Sequence, residues 1–298
     1  MADGTVLVTG ALGQVARQAL PWLQERHDVV LTDVRDRPDG EEGPPVHVLD
    51  LLADDGSGLR GLMNGVSTVV HMAHRPATGF QRPTPGTSEQ LVSSPQALYD
   101  SERLNVDLAQ AVYQAALETG VRRVVTASSN HASSWYQQLY YQGLRQSVRP
   151  EQYPKPASFY GWAKVAYESL GFLYASGVLG RQLESVQVRV VVPRELQLSD
   201  YVGRPVAQYL RDVTGYLSPR DCGQLFRRAV ETEDIRDEDG VPFLIVYATS
   251  GNDRRFWDLE SAKRVLGYAP QDNSEVRFMD DIDRIRRLRP DDPVPPTN

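Results

Sequence analysis

Short apolar runs alternate with stretches of helical spacing along most of the chain. The runs, each of a length that suits a buried strand, are Thr5–Thr9, Val29–Asp33, His47–Leu51, Ser67–Ala73, Arg122–Ala127, Ser185–Val192 and Val241–Ala248. Helices are predicted after the turn at 10–16, at Leu104–Leu117, at Tyr160–Ala175, from Ser218 through Val230 and at Asp258–Leu266. Strands that alternate with helices in this way predict an α/β fold, a Rossmann-type doubly wound parallel sheet.

The alternation weakens after Pro193, where the predicted elements become short. We therefore expect a first domain over 1–192, a small C-terminal substrate-binding lobe over 193–285, and a frayed, Pro-rich tail over 286–298. Two segments without a clear period, 74–98 and 132–157, are predicted to be loops; irregular runs of such length are often functional.

Composition narrows the class of protein. The 298 residues are 41% hydrophobic and 24% charged, as in an ordinary globular protein. A net charge of −7 without a Lys/Arg block argues against a nucleic-acid partner. No apolar run approaches the ~20 residues of a membrane helix, so no membrane partner is expected. With one cysteine, Cys222, and no signal-peptide pattern, the cytoplasm is the expected location.

The first strand leads into a glycine turn. Gly10 and Gly13 lie between that strand and the first helix, where a tight turn allows backbone N–H groups to approach a ligand. Helix N-termini in this position bind a pyrophosphate. We therefore expect Gly10, Leu12, Gly13, Gln14 and Val15 to bind the diphosphate of a dinucleotide.

Acidic residues follow the second and third predicted strands. Asp33 comes about 20 residues after the glycines, where a carboxylate binds the adenosine ribose and repels a 2′-phosphate. This position favours NAD over NADP, although a solvated acid at a strand end is the alternative. Asp50 and Leu51 are placed to meet the adenine. Ala73, at the end of the fourth strand, and Asn105, in a helix's first turn, complete the expected cofactor site.

Tyr160 and Lys164 are the candidate proton-transfer pair. Four residues apart, they share one face of a helix. A neighbouring ammonium lowers the pKa of a phenol, so Tyr160 is expected to act as a general base on a hydroxyl. By itself the spacing is also typical of a surface pair.

Further polar residues follow the fifth strand, at the sheet edge where ligands bind in this architecture. They are Ser128, Ser129, Asn130 and His131. No metal site is predicted, because His71 and His74 lack further ligands at metal-binding spacing.

These features together resemble the extended short-chain dehydrogenases/reductases, which are NAD-dependent sugar epimerases, dehydratases and dehydrogenases. The resemblance is carried by Thr9-Gly10-x-x-Gly13, Asp33, Asp50-Leu51, Ser128-Ser129 and Tyr160-x-x-x-Lys164. It extends over roughly Thr5 to Pro270 and implies Ser129, Tyr160 and Lys164 as the catalytic residues.

Three stretches further resemble uronate dehydrogenases, which oxidise a free hexuronic acid at C1. They are 127–131, 211–218 with its Arg-x-x-Thr-x-Tyr-Leu-Ser pattern, and 248–258. The likeness implies that Asn130 and His131 hold sugar hydroxyls and that Arg211 binds the carboxylate, since a guanidinium matches a carboxylate bidentately. Each has a structural alternative: Ser129 as a turn cap, His131 as a loop histidine and Arg211 as a solvated helix residue.

Two departures from that family leave the substrate open. Arg75 and Pro76 stand where the family has a hydroxyl residue, and the segment at 132–157 is longer and rich in Tyr and Trp. The main hypothesis is a dehydrogenase of a sugar or sugar acid. The alternatives are a nucleotide-sugar epimerase or dehydratase that retains its NAD, and an NAD-binding redox sensor without catalysis. A homo-oligomer is compatible with the sequence.

Overall fold

The computed structural model describes residues 4–53, 55–76 and 94–296. Its strands are β1 (Thr5–Thr9), β2 (Asp28–Asp33), β3 (Val46–Val48), β4 (Thr68–His71), β5 (Arg123–Ser129), β6 (Glu184–Val190) and β7 (Phe243–Ala248). They form one sheet in the order β3-β2-β1-β4-β5-β6-β7, and every neighbouring pair is parallel. The predicted doubly wound α/β fold is confirmed.

Helices cover both faces of this sheet. They are α1 (Gln14–Gln24), α2 (Ser57–Met63), α3 (Pro95–Glu118), α4 (Ser134–Tyr141), α5 (Phe159–Ala175), α6 (Val206–Gly215), α7 (Pro219–Glu231), α8 (Glu260–Leu266), α9 (Ser274–Arg277) and α10 (Met279–Ile285). On one face α1 packs against α7, and on the other α3 packs against α2 and α5. Among the residues described, no helix has the length and apolarity needed to cross a membrane.

The strands are apolar on both sides because both faces are covered. Val6, Leu7 and Val8 of β1 are all completely buried. Val6 and Val8 belong to the apolar cluster that contains α1 and α7, whereas Leu7 belongs to the cluster under α2 and α3. Side chains alternate between the faces of a strand, so a continuous apolar run is what a doubly covered parallel sheet requires.

Several element boundaries differ from the predicted ones. Helix α3 begins at Pro95 and not at Leu104, because Ser94 caps it by accepting a hydrogen bond from the Ala97 N–H. The predicted loop at 74–98 therefore ends at Ser94, and its residues 77–93 lie outside the described part. The predicted loop at 132–157 contains the helix α4 (Ser134–Tyr141).

The predicted boundary after residue 192 implied that the C-terminal third forms one separate lobe. The structure differs from this prediction. Strand β7 extends the main sheet beside β6, and α7 packs on α1. The small lobe has its own apolar cluster, built from two separated parts of the chain. Its buried members are Leu196, Leu198, Tyr201, Val206, Tyr209, Val213, Tyr216, Phe278, Ile285 and Val294.

The predicted fraying from residue 286 is wrong for most of that segment. Val294 is 1% exposed, and it pairs with Val202 in an isolated bridge. Its carbonyl accepts from the Gly203 N–H, and its N–H donates to the Arg204 carbonyl. Burial of an apolar side chain and paired backbone groups hold this end on the lobe. Residues 297–298 lie outside the described part.

A buried ion pair connects α5 to the sheet. Both Glu168 oxygens accept from Arg189, from Nε and Nη2, each at 2.8 Å. Ser128 donates to the same carboxylate at 2.8 Å, and Arg189 also donates to the Tyr247 hydroxyl at 2.8 Å. Burial acts to lower the pKa of Arg189, but the bonds and charge of Glu168 outweigh it, so the pKa is raised.

Replacing Glu168 with Gln should destabilise the fold, because it leaves the buried Arg189 charge unpaired. We expect a loss of about 3–5 kcal/mol in the free energy of unfolding, measured by urea denaturation. The matched control is Glu25→Gln, which breaks the exposed pair with Arg227 and should leave the unfolding midpoint unchanged. Equal effects of the two substitutions would contradict the special role of the buried pair.

Candidate active site

The glycine turn has the shape that a diphosphate requires. Gly10 adopts a φ of +67°, and a Cβ placed there would lie 2.6 Å from the Cα of Ala73. Gly13 is the N-cap of α1 and offers no side chain to its amides. The N–H groups at Gln14 and Val15 therefore belong to a helix N-terminus without a side-chain cap. This is a cradle that fits an anionic group.

Asp33 lies beside that turn, at the end of β2. Its carboxylate is 8% exposed and accepts from the Leu12 N–H at 3.1 Å and from the Arg35 N–H at 3.2 Å. These bonds fix an anion where an adenosine ribose would meet the turn. The turn and Asp33 thus fit NAD, and this protein's contact residues for it stay a prediction.

The adenine side of the predicted site contains an ion pair. Asp50 accepts from Arg75 Nη2 at 2.9 Å and from the Leu52 N–H at 3.1 Å. Leu51 is buried beside it. Arg75, which replaces the hydroxyl residue expected there, thus links the segment after β4 to the segment after β3.

Asn105 is completely buried and positions the chain after β4. Its Oδ1 accepts from the Arg75 N–H at 2.7 Å, and its Nδ2 donates to the Arg75 carbonyl at 2.9 Å. The same Nδ2 is 3.2 Å from Glu102 Oε2. Its side chain is thus engaged within the protein, and any contribution to cofactor binding acts through the backbone it holds.

Helix α5 presents Tyr160 and Lys164 to the carboxyl end of the sheet. Ser158 caps the helix by accepting from the Gly161 N–H at 3.1 Å. Gly161 packs directly against the His131 carbonyl, leaving no room for a Cβ. This close approach sets Tyr160 near Ser129, whose hydroxyl acts to lower the pKa of the phenol. The structure therefore brings together the predicted catalytic residues.

The pKa of the Tyr160 phenol is not lowered, as its spacing from Lys164 had suggested it would be. Burial, with a smaller contribution from the charge of Glu102, raises the pKa of Tyr160 despite the effect of the Ser129 hydroxyl. Lys164 Nζ lies 5.5 Å from the centre of the Tyr160 ring and donates to the Ala127 carbonyl at 3.1 Å. Burial also lowers the pKa of Lys164 to about 8. The expectation of a lowered phenol pKa is wrong for the protein alone, because burial of the phenol outweighs the lowering effect of Ser129.

Two of the predicted sugar-binding residues, His131 and Asn130, contact Tyr160 and Ser129 respectively. The His131 ring contacts the Tyr160 ring edge-on, with centroids 5.3 Å apart, and Asn130 accepts from the Ser129 hydroxyl at 3.3 Å. Burial lowers the pKa of His131, and the charge of Arg211 lowers it further. Arg211 is 45% exposed and its Nε donates to Asp212 at 3.2 Å. Among the described residues, the other two nitrogens of its guanidinium make no hydrogen bond and can take another partner.

Two residues near the site were not predicted. The ring of His74 contacts the ring of Tyr160 edge-on, with centroids 5.3 Å apart. Glu102 is buried one helical turn before Asn105. Its position three residues before Asn105, on the same helix face, was the available signal. Within the described ranges, no group of three or more His, Cys, Asp or Glu side chains could hold a metal ion.

Comparison of the chain with known proteins identifies its family. A family model described as the NAD dependent epimerase/dehydratase family matches residues 6–180. The NAD-dependent glucose-6-phosphate dehydrogenase of Haloferax volcanii is 32% identical over 284 residues, covering 91% of this chain and 95% of its own. The uronate dehydrogenase of Pseudomonas syringae is 29% identical, covering 97% and 89%.

A solved structure is similar to this fold over nearly the whole chain. A mutated uronate dehydrogenase superposes with a TM-score of 0.70 at 25% identity, covering 97% of this chain and 90% of that chain. The predicted family, its NAD cofactor and its enzymatic character are confirmed. The chain belongs to the NAD dependent epimerase/dehydratase family and is an NAD-dependent enzyme of the extended short-chain dehydrogenase type.

Proposed function

We propose that this enzyme oxidises the C1 hydroxyl of a free sugar acid, a hexuronate, with NAD as the oxidant. The observation that carries the proposal is the ring contact between Tyr160 and His131, together with the half-exposed Arg211, whose charge lowers the pKa of His131. A base beside a neutral imidazole and a guanidinium can hold a sugar by a hydroxyl and by an anionic group at once.

Tyr160 takes the proton of the C1 hydroxyl in this scheme, and Ser129 holds the same oxygen by a hydrogen bond. NAD, when bound, supplies the acceptor for the hydride that leaves C1. Loss of the proton and the hydride converts the cyclic C1–OH into the carbonyl of a lactone. Lys164, buried beneath Tyr160, provides the positive charge that a phenolate requires.

Two of the relatives support an anionic substrate, whereas the L-arabinose 1-dehydrogenase of Haloferax volcanii, 32% identical, is named for a neutral sugar. Glucose 6-phosphate and a uronate, named for the two relatives, share a sugar ring and a negatively charged group at a distance from C1. Arg211 matches either charge, and the uronate-type pattern around it favours a carboxylate. The segment between His131 and α5 adds exposed aromatic surface, of which Trp135 is 47% exposed. This surface could also accept a larger, nucleotide-linked sugar, the substrate of the epimerase alternative.

Replacing Tyr160 with Phe removes the proposed base without changing the ring. We expect kcat to fall by about 10²–10⁴, with the affinity for NAD little changed, measured by steady-state kinetics and NADH fluorescence. The control is Tyr153→Phe, at a side chain that is 78% exposed, which should retain full activity. Turnover within a few-fold of the unaltered enzyme would reassign the base.

A substrate panel tests the net reaction. The protein and NAD are mixed with glucuronate, galacturonate, glucose 6-phosphate, neutral hexoses and UDP-linked sugars, and NADH is followed by absorbance. We expect stoichiometric NADH with a free uronate, and Arg211→Ala should lower kcat/KM for it by about 10- to 100-fold. Poor neutral substrates should be unaffected by that substitution.

Two results of the panel would contradict the proposal. Conversion of a UDP-sugar to its epimer without accumulation of NADH would establish the epimerase alternative. Preference for glucose 6-phosphate over the uronates would keep the C1 dehydrogenase and replace the carboxylate by a phosphate. An equal effect of Arg211→Ala on acidic and neutral sugars would make that residue structural.

Asp33 should determine the choice between NAD and NADP. Its buried carboxylate repels a 2′-phosphate, so Asp33→Ala should lower the ratio of kcat/KM for NAD to that for NADP by about 10-fold or more. Asp36→Ala, at an exposed position three residues later, is the control and should leave the ratio unchanged. An unaltered enzyme that uses both cofactors equally well would argue against this role.

A further inference from the structure

Glu102 lies on the face of α3 that packs against α5. On that face Tyr99 contacts Trp162, with ring centroids 5.2 Å apart, and Ala109 packs in a cluster with Ala163 and Tyr167. Glu102 falls between these contacts at helical spacing and is 5% exposed. A carboxylate is thus buried between α3 and α5, the helix that carries the proton-transfer pair.

This carboxylate has little to compensate its burial. Among the described residues, its hydrogen bond comes from Asn105 Nδ2, at 3.2 Å. Burial raises the pKa of Glu102, while the bond from Asn105 and the charge of Lys164 act in the opposite direction. An acid in such a place is stabilised as an anion chiefly by a nearby cation.

Lys164 has the complementary requirement. It is 4% exposed, and within the described part of the chain it donates a hydrogen bond to the Ala127 carbonyl, a neutral group. Two carboxylates, Glu102 and Glu168, act to keep it protonated. Glu168 already forms a bidentate pair with Arg189, which neutralises its charge. Among the described residues, Glu102 is the one of these two carboxylates without an arginine partner.

We infer that Glu102 is a positioning residue of this enzyme: it is the counter-ion of Lys164 and sets the charge of the Tyr160–Lys164 pair. It acts on catalysis through Lys164 and not by touching the sugar. This role rests on the proposed chemistry of Tyr160, although the burial of Glu102 and Lys164 on the packed helices α3 and α5 does not depend on a substrate.

Other charged or titratable groups also face this pair. They are His71 at the end of β4, His74 after it, Glu168 and Tyr167 on α5, and His131 after β5. His71 is neutral at physiological pH, because burial, followed by the charge of Lys164, lowers its pKa to about 3. Glu102 is therefore the group here whose removal changes the net charge without breaking the Arg189 network.

The sign of the effect follows from the charge. Loss of an anion disfavours the Lys164 ammonium and favours the Tyr160 phenolate, so both groups lose their protons at lower pH. The two titrations are coupled, and the rate profile reports the values of the pair. A purely structural role for Glu102 would lower the rate equally at every pH.

The kinetic test is the substitution Glu102→Gln, which retains shape and the bond from Asn105. The bell-shaped profile of kcat/KM should move to lower pH on both limbs, and the ratio of activity at about pH 9 to that at about pH 7 should fall roughly tenfold. Glu102→Asp, which retains the charge, should restore the position of the profile. Asp107→Asn, at an exposed acid on the same helix, is the matched control.

A second test needs neither substrate nor turnover. The chain contains three lysines, Lys155, Lys164 and Lys263, so ¹⁵N-labelled lysine gives few side-chain signals to assign by NMR. In the unaltered protein the Lys164 signal should titrate with a midpoint near the pKa of about 8 and show a second, acidic inflection as Glu102 protonates. In Glu102→Gln the midpoint should be lower and the acidic inflection absent.

The two tests separate the inference from the proposed function. A Lys164 signal without an acidic inflection in the unaltered protein would overturn the inference, whatever the sugar and even if Glu102→Gln does not fold. An inflection together with silence across the sugar panel would support the pairing and reject only the substrate. An unmoved kcat/KM profile in a folded Glu102→Gln enzyme would also overturn it.

Discussion

The ion pair between Glu168 and Arg189 is the interaction on which the site depends most. It joins the helix that carries Tyr160 and Lys164 to strand β6, and Ser128 adds a bond from the end of β5. Because Ser129 follows Ser128 directly, the same contacts that hold α5 also place the hydroxyl that meets Tyr160. A charge pair buried this deeply is tolerated only when nearly all of its polar atoms are satisfied, which makes its geometry specific.

A neutralised Glu168 leaves the charge of Lys164 to be balanced elsewhere. The protein meets this need with Glu102, from the helix on the other side of Lys164, and the same helix supplies Asn105 to fix the chain after β4. Helix α3 therefore contributes both an electrostatic and a positional element to the site. Two carboxylates act on the charge of Lys164. Glu168 is paired with Arg189, whereas Glu102 is the one that we propose responds to pH.

Burial explains why a local motif misjudged the proton affinity of Tyr160. Spacing along a helix places an ammonium near a phenol, and proximity alone predicts a lowered pKa. In the folded protein both groups leave water, which disfavours both of their charged forms and pushes their pKa values in opposite directions. A bound oxidised nicotinamide and a sugar hydroxyl are the further charges and dipoles that the pair would meet during catalysis.

The sequence by itself determined the elements whose signal is local. Apolar strand runs, the glycine turn before α1 and Asp33 at a strand end each depend on neighbours in the chain, and the predictions of the sheet and the cofactor followed from them. Only the tertiary structure decided that β7 joins the main sheet, that Val294 docks on the lobe and that Glu102 is buried on the face of α3 that packs against α5. These contacts join residues far apart in the chain, and their energies come from burial and charge in three dimensions, which spacing along a sequence does not encode.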